Sequence, residues 1–309
     1  MSTKHLAAGL TLAFLVTLSS GAFAQGVVLA PAQLPAPARA ALRAEITKAR
    51  AAHPDAFAKV QQSRQLAIDL DRTRRGRAAS ITLPLRAIGK DALMPMLEML
   101  ALDGPKRGQM TDTAWLTLRV GLLEAVGETR DARARSVLVA VLERETQPEV
   151  VRAAAEALGR LLDDESAAQL VRLAKRGGPR LLPILAGMGE CRRTVAVREL
   201  ARHSTSRDPQ VALIALQALG EAGNAWAWKT PAIAATGEED AVRAIAATAL
   251  LNAFVKNRGD VRERAALSLL LVDWSKTHQL ITVAKRHAEP RTLSALGHLE
   301  QRLASNVTR

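Results

Sequence analysis

The feature that most restricts what this chain can fold into is a repeat. The twelve residues PEVVRAAAEALG at 148–159 return as PQVALIALQALG at 209–220, which is 61 positions later. The proline, the first valine, two of the alanines and the final Leu-Gly are unchanged. GPRLLPILAGMG (178–189) keeps apolar residues at the same offsets, and DAVRAIAATALL (240–251) fits with Leu251 in the glycine's place. Upstream, LTLRVGLLEAVG (116–127) and LPLRAIG (83–89) extend the series. The landmark falls at 89, 127, 159, 189, 220 and 251, at intervals of 38, 32, 30, 31 and 31. A near-constant period of this length marks a stacked-repeat architecture.

Each copy has the grammar of a helical hairpin. Pro148 opens a helix, because the N–H it lacks is unpaired at a first turn anyway. Val150, Val151, Ala154, Ala157 and Leu158 then form an apolar stripe at helical spacing. Gly159 stands at the helix end, where a left-handed backbone or a close contact is wanted. A short acidic turn follows, then a second amphipathic helix such as SAAQLVRLAKR (166–176) or RARSVLVAVLER (133–144). One hairpin cannot cover its own stripe, so the copies must stack. Aromatics make up only 3% of the chain, which argues against a sandwich or barrel, and the apolar load falls on Ala, Leu and Val. The expected fold is all-α: a right-handed α-solenoid of stacked antiparallel hairpins, about five to six repeats in number.

The motifs PEVVRAAAEALG, PQVALIALQALG and DAVRAIAATALL resemble the HEAT-repeat superfamily, in its short form with a PxVRxxAaxALG-like first helix, which also occurs in phycobilisome-lyase-type repeats. The resemblance covers residues 77–256. It implies a scaffold or binding surface with no shared catalytic residue, and second helices that line a concave face.

The flanks read differently. Lys4, the apolar run AAGLTLAFLVTL (7–18) and Ala22-Phe23-Ala24 before Gln25 have the order of a secretory signal peptide over 1–24. The run is too short to span a bilayer, so no transmembrane anchor is expected and the protein is read as exported, periplasmic or secreted. Residues 25–40, with prolines at 31, 35 and 37, read as an extended linker. Residues 41–76 read as an N-terminal helical cap, and 257–305 as a C-terminal one. DGPKRGQMTD (103–112) reads as an exposed insertion that lengthens one interval to 38. Cys191 is the only cysteine, so no intrachain disulfide supports the fold. Its arginine neighbours could activate it, or it could simply fill a helix boundary.

The formal charge is +13, which favours anionic partners. Registering the units by their glycines sets Arg172 level with Arg202 and Arg198 level with Lys229, with Arg176 one turn beyond Arg172. These form either a basic ladder along the concave face, suited to carboxylate, phosphate or sulfate, or solvated faces paired with Glu199 and its neighbours. DRTRRGR (71–77) reads as a docking patch or a solvated turn. Trp226 and Trp228, two apart, must face different ways, so one is a possible aromatic anchor for a partner; Trp115 and Trp274 read as core. No histidine pair has helical zinc spacing, and neither a phosphate loop nor a nucleophile elbow occurs. Asn306-Val307-Thr308 is a formal glycosylation sequon.

From these features we expect a non-enzymatic, exported scaffold that holds an acidic protein or extended anionic segment on its basic face, without cofactor, metal or small-molecule substrate. The alternatives are a bilin-lyase-like enzyme or chaperone, implied by the lyase-type resemblance, and a nucleic-acid-binding solenoid, which charge alone favours and export makes less natural.

Overall fold

The computed structural model describes residues 25–74 and 80–306, and these are helical with no strand among them. The helices in chain order are α1 (Ala36–Ala52), α2 (Pro54–Gln61), α3 (Ser63–Arg74), α4 (Thr82–Ala87), α5 (Leu93–Ala101), α6 (Asp112–Glu128), α7 (Arg135–Arg144), α8 (Pro148–Gly159) and α9 (Asp164–Arg176). They continue with α10 (Leu181–Gly187), α11 (Thr194–His203), α12 (Pro209–Gly223), α13 (Pro231–Ala234), α14 (Glu239–Lys256), α15 (Gly259–Val272), α16 (Thr277–Lys285) and α17 (Pro290–Ala304). The signal-like residues 1–24 and the Val307-Thr308 part of the sequon lie outside the described residues.

Local chemistry sets the helix starts. Pro148 and Pro209 occupy the first turns of α8 and α12. The Thr111 hydroxyl accepts from the Ala114 N–H at 3.0 Å, and Asp163 Oδ1 accepts from the Ser166 N–H at 2.8 Å, so α6 and α9 have side-chain caps. The stripe Val150, Val151, Ala154, Ala157 and Leu158 is fully buried. One such side chain contributes roughly 1–3 kcal/mol when removed from water, and the alanines let neighbouring helices approach closely.

Two layers result. α4, α6, α8, α10, α12 and α15 pack on one another in that order, and α7, α9, α11, α14 and α16 do the same beside them. Second-layer helices lie across pairs from the first: α9 touches α8 and α10, and α14 touches α12 and α15. Helix-on-helix stacking in sequence order is consistent with an α-solenoid.

The glycines serve contact rather than a turn. A Cβ on Gly127 would lie 2.7 Å from Ala157 Cα, one on Gly159 would lie 2.8 Å from the Cys191 nitrogen, and one on Gly220 would lie 2.8 Å from Ser268 Cβ. The left-handed backbone falls three residues later, on Arg130 (φ 53°) and Leu162 (φ 60°).

These contacts also correct the register. The partner of Gly127 lies 30 residues on, at Ala157, and that of Gly159 lies 32 on, at Cys191. The partner of Gly220 is Ser268, 48 residues on. DAVRAIAATALL was expected to be another first helix; it lies instead in α14, which stacks on α11 in the second layer. The first-layer place goes to α15, expected as part of the C-terminal cap, which packs extensively on α12. Residues 224–238, carrying α13 and the Trp226–Lys229 stretch, are the extra connection. The period misled here because both layers of a stack demand the same alanine-rich stripe.

The expected linker is also corrected. Val27, Leu29 and Leu34 are buried, and α1 already begins at Ala36. The Val27 N–H donates to the Met99 carbonyl at 2.8 Å and the Leu29 N–H to the Leu100 carbonyl at 3.0 Å. Those carbonyls end α5 and need partners that their own helix cannot supply, so the N-terminal segment is bound in place.

Candidate functional site

The outward side of the second layer carries the residues expected to bind. On α9, Arg172 and Arg176 both reach Glu143 of α7, at 2.8 and 3.5 Å. Arg172 also donates from Nε to Gln169 at 2.8 Å. On α11, Arg202 pairs with Glu199, whose side chain is only 5% exposed. Three of the four expected arginines are therefore already paired, two of them to one carboxylate. Arg198 is the exception: it is exposed and forms no ion pair among the described residues.

Lys229 does not belong to this row. Its Nζ sits 3.6 Å from the centroid of the Trp226 ring, in the inserted connection, and the neighbouring Ala225 N–H donates to the Leu271 carbonyl of α15. The glycine register that set it level with Arg198 fails because the insertion shifts everything after Gly220. Trp226 is 57% exposed, whereas Trp228 is buried and donates its indole N–H to the Ala222 carbonyl at 3.0 Å. Trp228 is thus a core residue, not an anchor. Trp274 is buried with its N–H on Asp240 at 2.8 Å; Trp115, expected in the core, is only half-buried.

In place of Lys229, the second-layer face offers Lys256. Between α11 and α14 runs a groove of about 430 Å³, walled by Ala201 and Thr205 on one side and Ala244, Ile245, Ala249 and Lys256 on the other. Small side chains on both helices leave this volume unfilled. Arg198 lies three residues before Ala201 on α11 and Arg202 one after it, and Thr205 follows just past the helix end, so Arg198 falls one turn from the apolar floor on the same helix. No residue lining the groove carries a carboxylate. The stripe Ala244–Ile245–Thr248–Ala249 was visible in the sequence, but its assignment to a first helix hid its role.

The opposite edge, where first-layer helices end, is built as an ionic spine. Arg86 lies 3.7 Å from Glu128, Arg160 lies 3.5 Å from Glu128 and 3.3 Å from Glu190, and Arg192 lies 3.0 Å from Glu190. Arginines also close the turns: Arg130 Nη1 donates to the Arg160 carbonyl at 3.1 Å, and Arg193 Nη1 to the Leu162 carbonyl at 2.9 Å. Burial pushes the Glu190 carboxyl up, but Arg192 and Arg160 together outweigh it and hold it below the usual range. Burial wins at Glu156 against Arg152 and Arg160, and at Glu221, where Glu190 adds to it, so both are raised. Burial likewise pushes the Cys191 thiol up to about 12, so it is protonated and fills the contact beneath Gly159.

Of the DRTRRGR stretch, Asp71 is buried and accepts from the Thr111 hydroxyl at 2.7 Å, and residues 75–77 lie outside the described part. Among the described residues no helix is long and apolar enough to cross a membrane.

No family model matches the chain, and no curated protein matches it. Among solved structures it is similar to human deoxyhypusine hydroxylase in complex with glycerol, at 17% identity and a TM-score of 0.33, over 82% of this chain and 98% of that one. The expectation that the chain is not an enzyme is set aside: a solved structure with which it aligns is named for an enzymatic activity. At that similarity the likeness assigns this chain no substrate, metal or residue role.

Proposed function

We propose that the chain binds an extended acidic segment of a protein partner in the groove between α11 and α14. The observation that carries this reading is the groove itself: an apolar-floored space of about 430 Å³ with Lys256 on one wall and no lining carboxylate, and with Arg198 one helical turn before Ala201 on α11. An aliphatic side chain of the partner would fill the space left by Ala201, Ala244 and Ala249, while its carboxylates meet the flanking cations. Arg172, Arg176 and Arg202 shape the approach but are already paired, the first two sharing Glu143 and the third holding Glu199. We read the stack as a right-handed HEAT-like superhelix of about five to six hairpins, with this face concave. The leader-like residues 1–24 support action in an exported compartment, periplasmic or secreted, with processing before Gln25.

The test is titration of a fluorescein-labelled peptide of alternating Glu and Leu into the full chain and into the Arg198→Glu/Lys256→Glu double variant. Both residues are exposed and unpaired among the described residues, so the unfolding free energy should stay within about 0.5 kcal/mol of the parent. Binding should weaken by about tenfold or more and depend on salt. Equal binding by the double variant would remove the groove from consideration.

A further inference from the structure

A second, separate cavity lies at the other end of the molecule. It has a volume of about 650 Å³, within the usual range for small-molecule sites. Its walls come from three places: the N-terminal segment Gln25–Val28, the loop 103–107 between α5 and α6, and one side of α6. That loop is the insertion that lengthened one repeat interval, and repeat insertions gather on one face of a stack, often a binding face.

The polar chemistry of this cavity is dominated by donors. Trp115 and Arg119 stand one helical turn apart on α6, and Lys106 and Arg107 come from the loop. Arg119 is nine-tenths buried; its Nη1 donates to Gln147 at 2.6 Å and its Nη2 pairs with Glu145. Its Nε is shielded from solvent and donates to nothing among the described residues. The indole N–H groups of Trp228 and Trp274 have protein acceptors; that of Trp115 has none among the described residues. Lys106 is exposed and forms no ion pair among the described residues, whereas Arg107 pairs with Asp112. Against these donors the lining offers one carboxylate, Asp103, at the exposed rim.

We infer that this cavity binds a small ring-bearing carboxylate, with the ring against Trp115 and the carboxylate at Lys106. A flat indole suits the face of a sugar or an aromatic ring, and surplus donors suit an acceptor-only group. An acidic sugar and an aromatic acid share this chemistry, and the test separates them. The ligand site is distinct from the α11–α14 groove, which shares no residue with it.

The experiment follows intrinsic tryptophan fluorescence of the full chain during titration with glucuronate, benzoate, glucose and sulfate. Glucuronate or benzoate should change the signal saturably, and the change should vanish in Trp115→Phe. Lys106→Gln, at an exposed loop position, should weaken binding about five- to tenfold without moving the melting temperature. Preference for glucuronate identifies an acidic sugar, and preference for benzoate an aromatic acid; either supports the site. The inference is overturned if neither carboxylate binds, if glucose or sulfate binds as well as they do, or if Lys106→Gln binds as tightly as the parent.

Discussion

The turn edge and the second-layer face are both rich in arginine, yet they use it in opposite ways. At the edge, Arg160 sits between Glu128 and Glu190, which belong to the units before and after its own. On the face, Arg198 and Lys256 have no carboxylate within reach among the described residues. The edge is where successive first-layer helices approach within glycine contact, so charge there must be balanced or the units would separate. The face has no such neighbour and can leave charge open for a partner. A positive total therefore says little by itself; what matters is where the carboxylates are missing.

This contrast can be broken by substitution. The largest effect is expected from Gly159→Ala at the edge, which places a methyl 2.8 Å from the Cys191 nitrogen. Overpacking against backbone should destabilise the chain by about 1–3 kcal/mol in denaturant unfolding. A loss below a few tenths of a kcal/mol would show that the layers are looser than the contact implies.

Arg160→Met should follow, at about 1–2 kcal/mol, because it leaves two partly buried glutamates without their shared partner. If the edge tolerates it, the spine is an ornament of the surface rather than part of the stack.

A finer test uses two glutamates whose carboxyls are shifted in opposite directions. Glu190 is held below its unfolded value, so it adds stability that is present at neutral pH and lost as pH falls through its folded pKa. Glu156 is raised, so it carries a penalty at neutral pH that disappears as pH falls below its folded pKa. Glu190→Gln should therefore lower the melting temperature at pH 7, with the difference closing in acid. Glu156→Gln should raise it at pH 7, again closing in acid. Melting curves at pH 7 and pH 3 check both, and equal signs for the two variants would contradict the assignment.

The smallest effect belongs to the face. Arg198→Ala should change stability by no more than about 0.5 kcal/mol, since the side chain is exposed and unpaired. A larger loss would mean that this arginine is as structural as those of the edge.

Much of the stacking was legible because it is written in short-range pattern. The stripe of α8, the proline starts and the close-contact glycines could all be read from residues a few positions apart. The layer of α14 could not, because DAVRAIAATALL satisfies both layers equally well and only its neighbours α11, α12 and α15 distinguish them. Lys229 was misplaced for the same reason, and Lys256 was overlooked with it. The tryptophan pair was half legible: two-residue spacing required opposite environments, but not which ring would be covered. Likewise, Val27, Leu29 and Leu34 look like a linker until the free carbonyls at the end of α5 are brought beside them.

What the sequence alone determined is that the chain is helical and must stack, because its apolar stripes recur with a helical period and no single hairpin can cover them. Only the tertiary structure decided which helix lies in which layer, which arginines are already paired, and where the α11–α14 groove and the cavity beside Trp115 open. Those outcomes depend on contacts between residues 30 to 48 positions apart, such as Gly127 with Ala157 and Gly220 with Ser268, and an insertion shifts such contacts without altering any local pattern.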